Sequence, residues 1–436
     1  MAQMIYGVRD CPKKWYEWVV FALQQLLAIF VATVLIANIC GTPISSCLLG
    51  ASIGTLIYQV ITKFKSPMFI SSCGATVSAV CGALALNEAG NNYLMVFIGG
   101  LVILAIYGIF ALIVKLTGVK TITKIFPPAI IGAVTIVIGL NLSKFLVSYL
   151  GQGAADFAPT SVAAILAVIC ALVTMFTTAL VSHYGKGFIK NIPFLFGLLA
   201  GYILALIFTL TGAAKLVDFS PFEHMTWYPD LTFLQWRGSD WSWANLGRTI
   251  LYFVPVAICA LLEHYSDHKV LSNIIDQDLT EEPGLHRTLL GDGVASAVGT
   301  AICGLPNTSY GESIATTGFS KVASVWVITA AAVFLGLLSF IGPVSALIQT
   351  IPSAVFGGCA MILYGFIAAS GLKTIITNKV DLEDSRNLII ISVVLTVGVS
   401  GIIFLDAAFG GVSLAMVLGV ILSLILKPKE NASKIN

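Results

Sequence analysis

Apolar residues in this chain fall into long unbroken runs, at 19–37, 93–114, 162–181, 194–210, 388–405 and 407–426. Each approaches the roughly 20 residues that a helix needs to cross a bilayer. None alternates apolar with polar as a transmembrane β-strand does. Runs and breakers together predict fourteen membrane segments, beginning near residues 18, 45, 68, 93, 125, 160, 193, 248, 287, 309, 322, 350, 386 and 407. The expected class is an all-α polytopic membrane protein.

Charge placement tests that count. With the amino terminus inside, nineteen basic residues face the cytoplasm: Arg9, Lys13, Lys14, Lys63, Lys65, Lys115, Lys120, Lys124, Lys186, Lys190, Lys269, Arg287, Lys321, Lys373, Lys379, Arg386, Lys427, Lys429 and Lys434. Only four, Lys144, Lys215, Arg237 and Arg248, face outward. This is the asymmetry of the positive-inside rule, and one segment too many or too few would scramble its second half. The longest external connection, 215–245, carries Trp227, Tyr228, Trp236, Trp241 and Trp243 beside Asp218, Glu223, Asp230 and Asp240, and reads as an interfacial cap. Seven segments precede it and seven follow. An odd number per half makes the halves inverted repeats. Pro127-Pro128-Ala129-Ile130-Ile131-Gly132 opens the fifth segment, and Pro352-Ser353-Ala354-Val355-Phe356-Gly357 opens its counterpart, the twelfth.

Composition agrees: 58% of residues are apolar and 10% charged, with a mean hydropathy of +0.96, which excludes an ordinary soluble domain. The first run is about a full span long and ends in no small-residue cleavage site, so it is expected to be a retained helix. Nine cysteines, mostly inside apolar runs, suit packing better than a disulfide framework; Cys40 and Cys47 share one short external loop and are the pair considered for a bridge.

The candidate chemistry is two acids inside the apolar fabric, Glu263 and Glu312. An intramembrane carboxylate is costly and by default marks a substrate or proton path. Glu312 follows Pro306-Asn307-Thr308-Ser309-Tyr310-Gly311 in the tenth segment, and the third has Pro67 followed by Ser71-Ser72-Cys73-Gly74. Broken segments containing short extended stretches, matched in opposite halves, point to a midplane binding site at half-helix N-termini. Glu263 lies six residues, about 9 Å of helix, before Lys269. Asp267 shares its face at i+4, while His264 and His268 form a second i,i+4 pair turned by about 100°. These acids and histidines form a candidate proton relay. A metal site on Glu263, His264, Asp267 and His268 has too few convergent ligands on a single helix. No Walker-type motif is present, no cofactor is expected, and nothing suggests nucleic-acid binding.

Glu263-His264-Tyr265-Ser266-Asp267-His268, Pro283-Gly284-Leu285-His286-Arg287 and Pro306-Asn307-Thr308-Ser309-Tyr310-Gly311-Glu312 resemble bacterial uracil permeases of the nucleobase-ascorbate transporter family. The resemblance implies fourteen segments as 7+7 inverted repeats. It implies a core domain (1–116 and 246–344, segments 1–4 and 8–11) moving against a gate domain (117–214 and 345–428, segments 5–7 and 12–14). It further implies proton-coupled uptake of uracil or a close pyrimidine, by a transporter and not an enzyme, in a bacterial inner membrane with both termini cytoplasmic. A homodimer is compatible with this layout. By the same resemblance Glu263 and Glu312 hold the base, with Gly311, Gly74, Tyr310 and Cys73 completing the site, and Glu263, Asp267, His268 and Gln25 couple the proton. Departures are Ser313, Ala315, Ser320 and Lys321, where the family usually has Asn, Gly and Thr-Arg, together with Gln24-Gln25 in place of Gln-His. Asp267 stands where some relatives have His. A purine or xanthine substrate and an anion transporter of the same layout are the alternatives.

Overall fold

The computed structural model describes residues 4–119, 121, 126–150, 161–186, 189, 192–223, 225, 227, 239–404 and 406–426. Lys120, Lys124, Lys190, Tyr228, Asp230, Trp236, Arg237, Lys427, Lys429 and Lys434 lie outside the described residues.

The first half begins with helices α1 (Trp15–Cys40) and α2 (Ile44–Ile61), strand β1 (Ile70–Ser72), a 3-10 turn (Gly74–Thr76) and α3 (Val77–Leu84). There follow α4 (Tyr93–Thr117), α5 (Pro128–Leu142), α6 (Phe145–Leu150), α7 (Val162–Tyr184) and α8 (Pro193–Leu210). The second half has α9 (Trp243–Ile275), α10 (Leu285–Ala301), β2 (Asn307–Ser309), α11 (Gly311–Ser320), α12 (Val325–Ser339) and α13 (Gly342–Gln349). It closes with α14 (Ser353–Thr377), α15 (Ser385–Val399), the short strands β3 (Ile403–Phe404) and β4 (Asp406–Gly410), and α16 (Val412–Ile425).

Local chemistry explains the helix starts. Asn92, Ser161, Ser242 and Ser324 cap α4, α7, α9 and α12 through their side chains, and proline takes an early helical position in α5 and α8. Among the described residues eight helices are long and apolar enough to cross a membrane, or nine if α12 and α13, bent by 80°, form one span. The protein is an integral membrane protein built mostly of helix.

Packing separates two groups. In one, α10 packs on α2 and α4, α12 on α1 and α2, and α9 on α4. In the other, α14 packs on α5 and α7, α15 on α5 and α16, and α7 on α8. Thinner contacts join the groups, α1 with α8 and α14, and α9 with α5 and α16. All nine cysteines are free thiols, so Cys40 and Cys47 are not bridged. At one end of the first group residues 5–10 lie along residues 321–325: Ile5 N–H donates to the Lys321 carbonyl (2.8 Å), Ala323 N–H to that of Tyr6 (2.9 Å) and the Ser324 hydroxyl to that of Asp10 (2.6 Å).

Candidate functional site

The centre of the first group is not helical. Strands β1 and β2 pair antiparallel, with Ile70 opposite Ser309, Ser71 opposite Thr308 and Ser72 opposite Asn307. Two short strands in an apolar interior leave peptide groups that lipid cannot satisfy, so side chains must. Thr55 Oγ1 donates to the Ile70 carbonyl (2.8 Å) and accepts from the Ile70 N–H (3.1 Å). Ser296 donates to the Asn307 carbonyl (2.5 Å), and Thr33 and Ser71 share a hydrogen bond of 2.6 Å. The Asn307 amide donates to the carbonyls of Gly50 (3.1 Å) and Ala295 (2.9 Å). It fits because Gly54 and Gly299 have no side chain: a Cβ on either would lie 2.6 Å from Asn307 Nδ2. The sequon Asn307-Thr308-Ser309 is therefore buried structure.

Each strand runs into the start of a helix, β1 into the turn at Gly74 and β2 into α11 at Gly311. The first N–H groups of a helix have no partner within it, which suits an acceptor brought from outside. Gly311 is exposed, and a Cβ built on it would meet nothing within 4 Å. Beside Gly74 a crevice of about 310 Å³ separates α3 from the second group, lined there by Asn141, Leu142 and Phe145. The side chains of Cys73 and Tyr310, immediately before these two glycines, are buried, so both face protein.

Glu263 on α9 and Glu312 at the head of α11 are half-buried and lie within electrostatic range of each other. Neither carboxylate has a hydrogen-bonding partner among the described side chains. Asp267, one turn beyond Glu263, accepts from Ser309 Oγ (2.8 Å) and is tied to β2. Gln25 of α1 holds α11 at two points, donating to Thr317 Oγ1 (3.1 Å) and accepting from Ser313 Oγ (3.1 Å). Ser313, one of the departures from the family pattern, thus has a bonded role.

Sequence reasoning missed Asp292. It lies in α10 between Gly291 and Gly293, fully buried, with Oδ2 2.6 Å from His264 Nδ1 and 3.4 Å from the Thr308 hydroxyl. An acid flanked by glycines inside a segment was the available signal; its nearness to Arg287 in sequence disguised it as an end charge. His268 is also buried, its Nδ1 2.8 Å from the His264 carbonyl and its Nε2 2.7 Å from the Tyr58 hydroxyl. Among the described residues no group of three His, Cys, Asp or Glu is arranged to hold a metal ion.

A membrane-embedded helical body with two open carboxylates beside broken helix starts is the architecture of a solute carrier. The chain belongs to the permease family whose model, described as "Permease family", matches residues 16–407. It is 38% identical to the uracil permease of Bacillus subtilis (strain 168) over 425 residues, 96% of this chain and 94% of that one. It is 36% identical to the uracil permease of Bacillus caldolyticus over 437 residues, 100% of this chain and 97% of that one. In fold it resembles the transmembrane domain of the cyanobacterial bicarbonate transporter BicA, with a TM-score of 0.64 at 14% identity, covering 95% of this chain and 99% of that one.

Proposed function

We propose that this protein is a proton-coupled symporter for uracil or a closely related pyrimidine. It lies in a bacterial inner membrane with both termini cytoplasmic. The observation that carries the reading is the pair Glu263 and Glu312, near each other and without side-chain partners, beside the exposed helix start at Gly311. Uracil presents two N–H donors and two carbonyl acceptors in one plane. Two carboxylates receive the donors, and amides at Gly311 and near Gly74 meet the carbonyls. Relatives named as uracil permeases, aligned over nearly the whole chain, support the choice of base.

Fourteen segments in two inverted sevens are part of the same proposal. Matching α1 with α9, α2 with α10, β1–α3 with β2–α11, α4 with α12, α5 with α14, α7 with α15 and α8 with α16 maps the packing onto itself. The contact of α2 with α12 becomes that of α10 with α4, α1 with α8 becomes α9 with α16, and α7 with α14 becomes α15 with α5. The third and tenth segments are then β1–α3 and β2–α11, the shorter helices α15 and α16 are the last two, and α10 is the ninth. The core domain is 1–116 with 246–344, and the gate domain is 117–214 with 345–428, joined at 215–245. Alternating access is motion of the first across the second at the crevice beside Gly74.

Carrying an uncompensated buried charge across this boundary is costly, whereas a protonated, substrate-filled site crosses readily. Glu263, Asp267 and His268 form the acid and histidine cluster in which the proton is taken up, and Gln25 keeps α11 in register with it.

The test is radiolabelled uracil uptake in a strain lacking nucleobase transport, under an imposed proton gradient. Uptake should be abolished by an uncoupler and by Glu312→Ala, and Glu263→Gln should lose accumulation. Robust accumulation by the Glu263→Gln variant would sink its role, and transport of a purine with no uracil uptake would replace the substrate.

A further inference from the structure

We infer that the driving proton comes to rest on the buried pair His264–Asp292, behind the carboxylates that face the base; this rests on the proton-symport reading above. The two side chains are wholly inaccessible to solvent and joined by one hydrogen bond of 2.6 Å. The two remaining polar atoms, His264 Nε2 and Asp292 Oδ1, are buried with no hydrogen-bond partner. A buried polar atom left unpaired is costly, so such atoms in a folded protein ask for a reason.

Counting protons supplies one. With a single proton in the Nδ1–Oδ2 bond, imidazole is neutral, carboxylate is charged, and the pair carries one negative charge. A second proton makes the pair neutral overall, as imidazolium with carboxylate or imidazole with carboxylic acid. Its only places are His264 Nε2 and Asp292 Oδ1, the two atoms without partners. The titratable and charged groups in electrostatic reach of Asp292 are Glu263 and Asp267 on α9, Tyr58 on α2, Tyr107 on α4 and Cys73 after β1, and none is a permanent cation. His268 completes the surroundings, its ring 4.0 Å from that of His264. The singly protonated pair is thus a buried anion with no compensating cation, and proton uptake removes that charge before the core moves.

The pair has a connection on each side. His268 Nδ1 faces a carbonyl, which only accepts, so Nδ1 carries hydrogen and Nε2 faces the Tyr58 hydroxyl, itself 2.8 Å from Ser66 Oγ. Ser66 lies between α2 and β1, so this chain of groups leads from His268, whose ring lies against that of His264, toward the α2 end. On the other side Thr308 donates to Asp292 from β2, the strand that leads within three residues to Gly311 and Glu312. Loss or gain of charge at Asp292 is therefore felt by the backbone that positions the base.

The experiment uses the whole chain in proteoliposomes and reads two quantities: uracil accumulation under an imposed proton gradient, and uracil exchange without one. Asp292→Asn should bring the accumulation ratio down to that seen without a gradient while exchange persists, and Asp292→Glu should restore accumulation. His264→Gln, which removes the imidazole and keeps a polar side chain, should behave as Asp292→Asn and is decisive where the latter unfolds. Wild-type accumulation by either folded variant overturns the assignment. So does joint loss of exchange and accumulation in a variant that melts like the wild type, which would make the pair structural. Failure of the wild-type protein to accumulate uracil on a proton gradient would instead refute the symport reading.

Discussion

Ser309 donates to the carboxylate of Asp267 at 2.8 Å, a bond that ties the helix bearing Glu263 to the strand leading into Glu312. The two glutamates sit on separate elements of the second half of the chain, α9 and α11, so their spacing depends on this cross-link and on the packing around it. A hydrogen bond of this kind is worth about 1–2 kcal/mol, or roughly 5- to 30-fold in an equilibrium constant. Ser309→Ala is therefore expected to raise the KM for uracil by roughly that factor. Uptake kinetics beside a thermal unfolding scan would check this, since a KM matching the wild type would detach Ser309 from substrate positioning.

Asn307 is a different case. Its amide holds the carbonyls of Gly50 and Ala295 in a region closed to water. Asn307→Ala should destabilise the purified protein by about 1–3 kcal/mol per carbonyl left unsatisfied. Thermal unfolding in detergent measures this as a lowered midpoint. Gly299→Ala should do comparable damage by crowding the same amide, and unchanged midpoints in both variants would refute the clamp.

Outside the membrane, Asp278 offers a pH test. Burial acts to raise its carboxyl, but the Thr280 hydroxyl and the Lys269 ammonium outweigh burial and hold it below the usual aspartate value. Because its folded value is depressed, its contribution to stability is present above the unfolded value, about 3.9, and is lost as pH falls through the folded one. Acidification from neutral pH to below that value should lower the melting midpoint more in the wild type than in Asp278→Asn. Equal losses would show that Asp278 adds nothing.

Helix placement was legible wherever local chemistry marks a start. The fourth and seventh segments, expected near 93 and 193, are helices from Tyr93 and Pro193, because a capping asparagine and an N-terminal proline announce themselves. The eighth was expected near 248 but begins at Trp243; its cap, Ser242, stands between two tryptophans that read as part of the external loop. Glu263 and Glu312 were visible as acids in apolar surroundings, yet their mutual approach depends on pairing between residues far apart in the chain. Asp292 escaped for a related reason: sequence shows an acid five residues from an arginine, while only the packing of α10 on the rest of its group turns that acid toward His264.

The docking of residues 5–10 against residues 321–325 has a consequence for biosynthesis. The hydrogen bond from Ser324 to Asp10 spans 314 positions, so its first half is made long before its second. At synthesis rates of about 5–20 residues per second, the amino-terminal stretch waits roughly 15–60 s for its berth to emerge. During that interval it is accessible on its own side of the membrane to ribosome-associated factors and proteases. Its closure onto the nascent loop then records that α11 has been delivered.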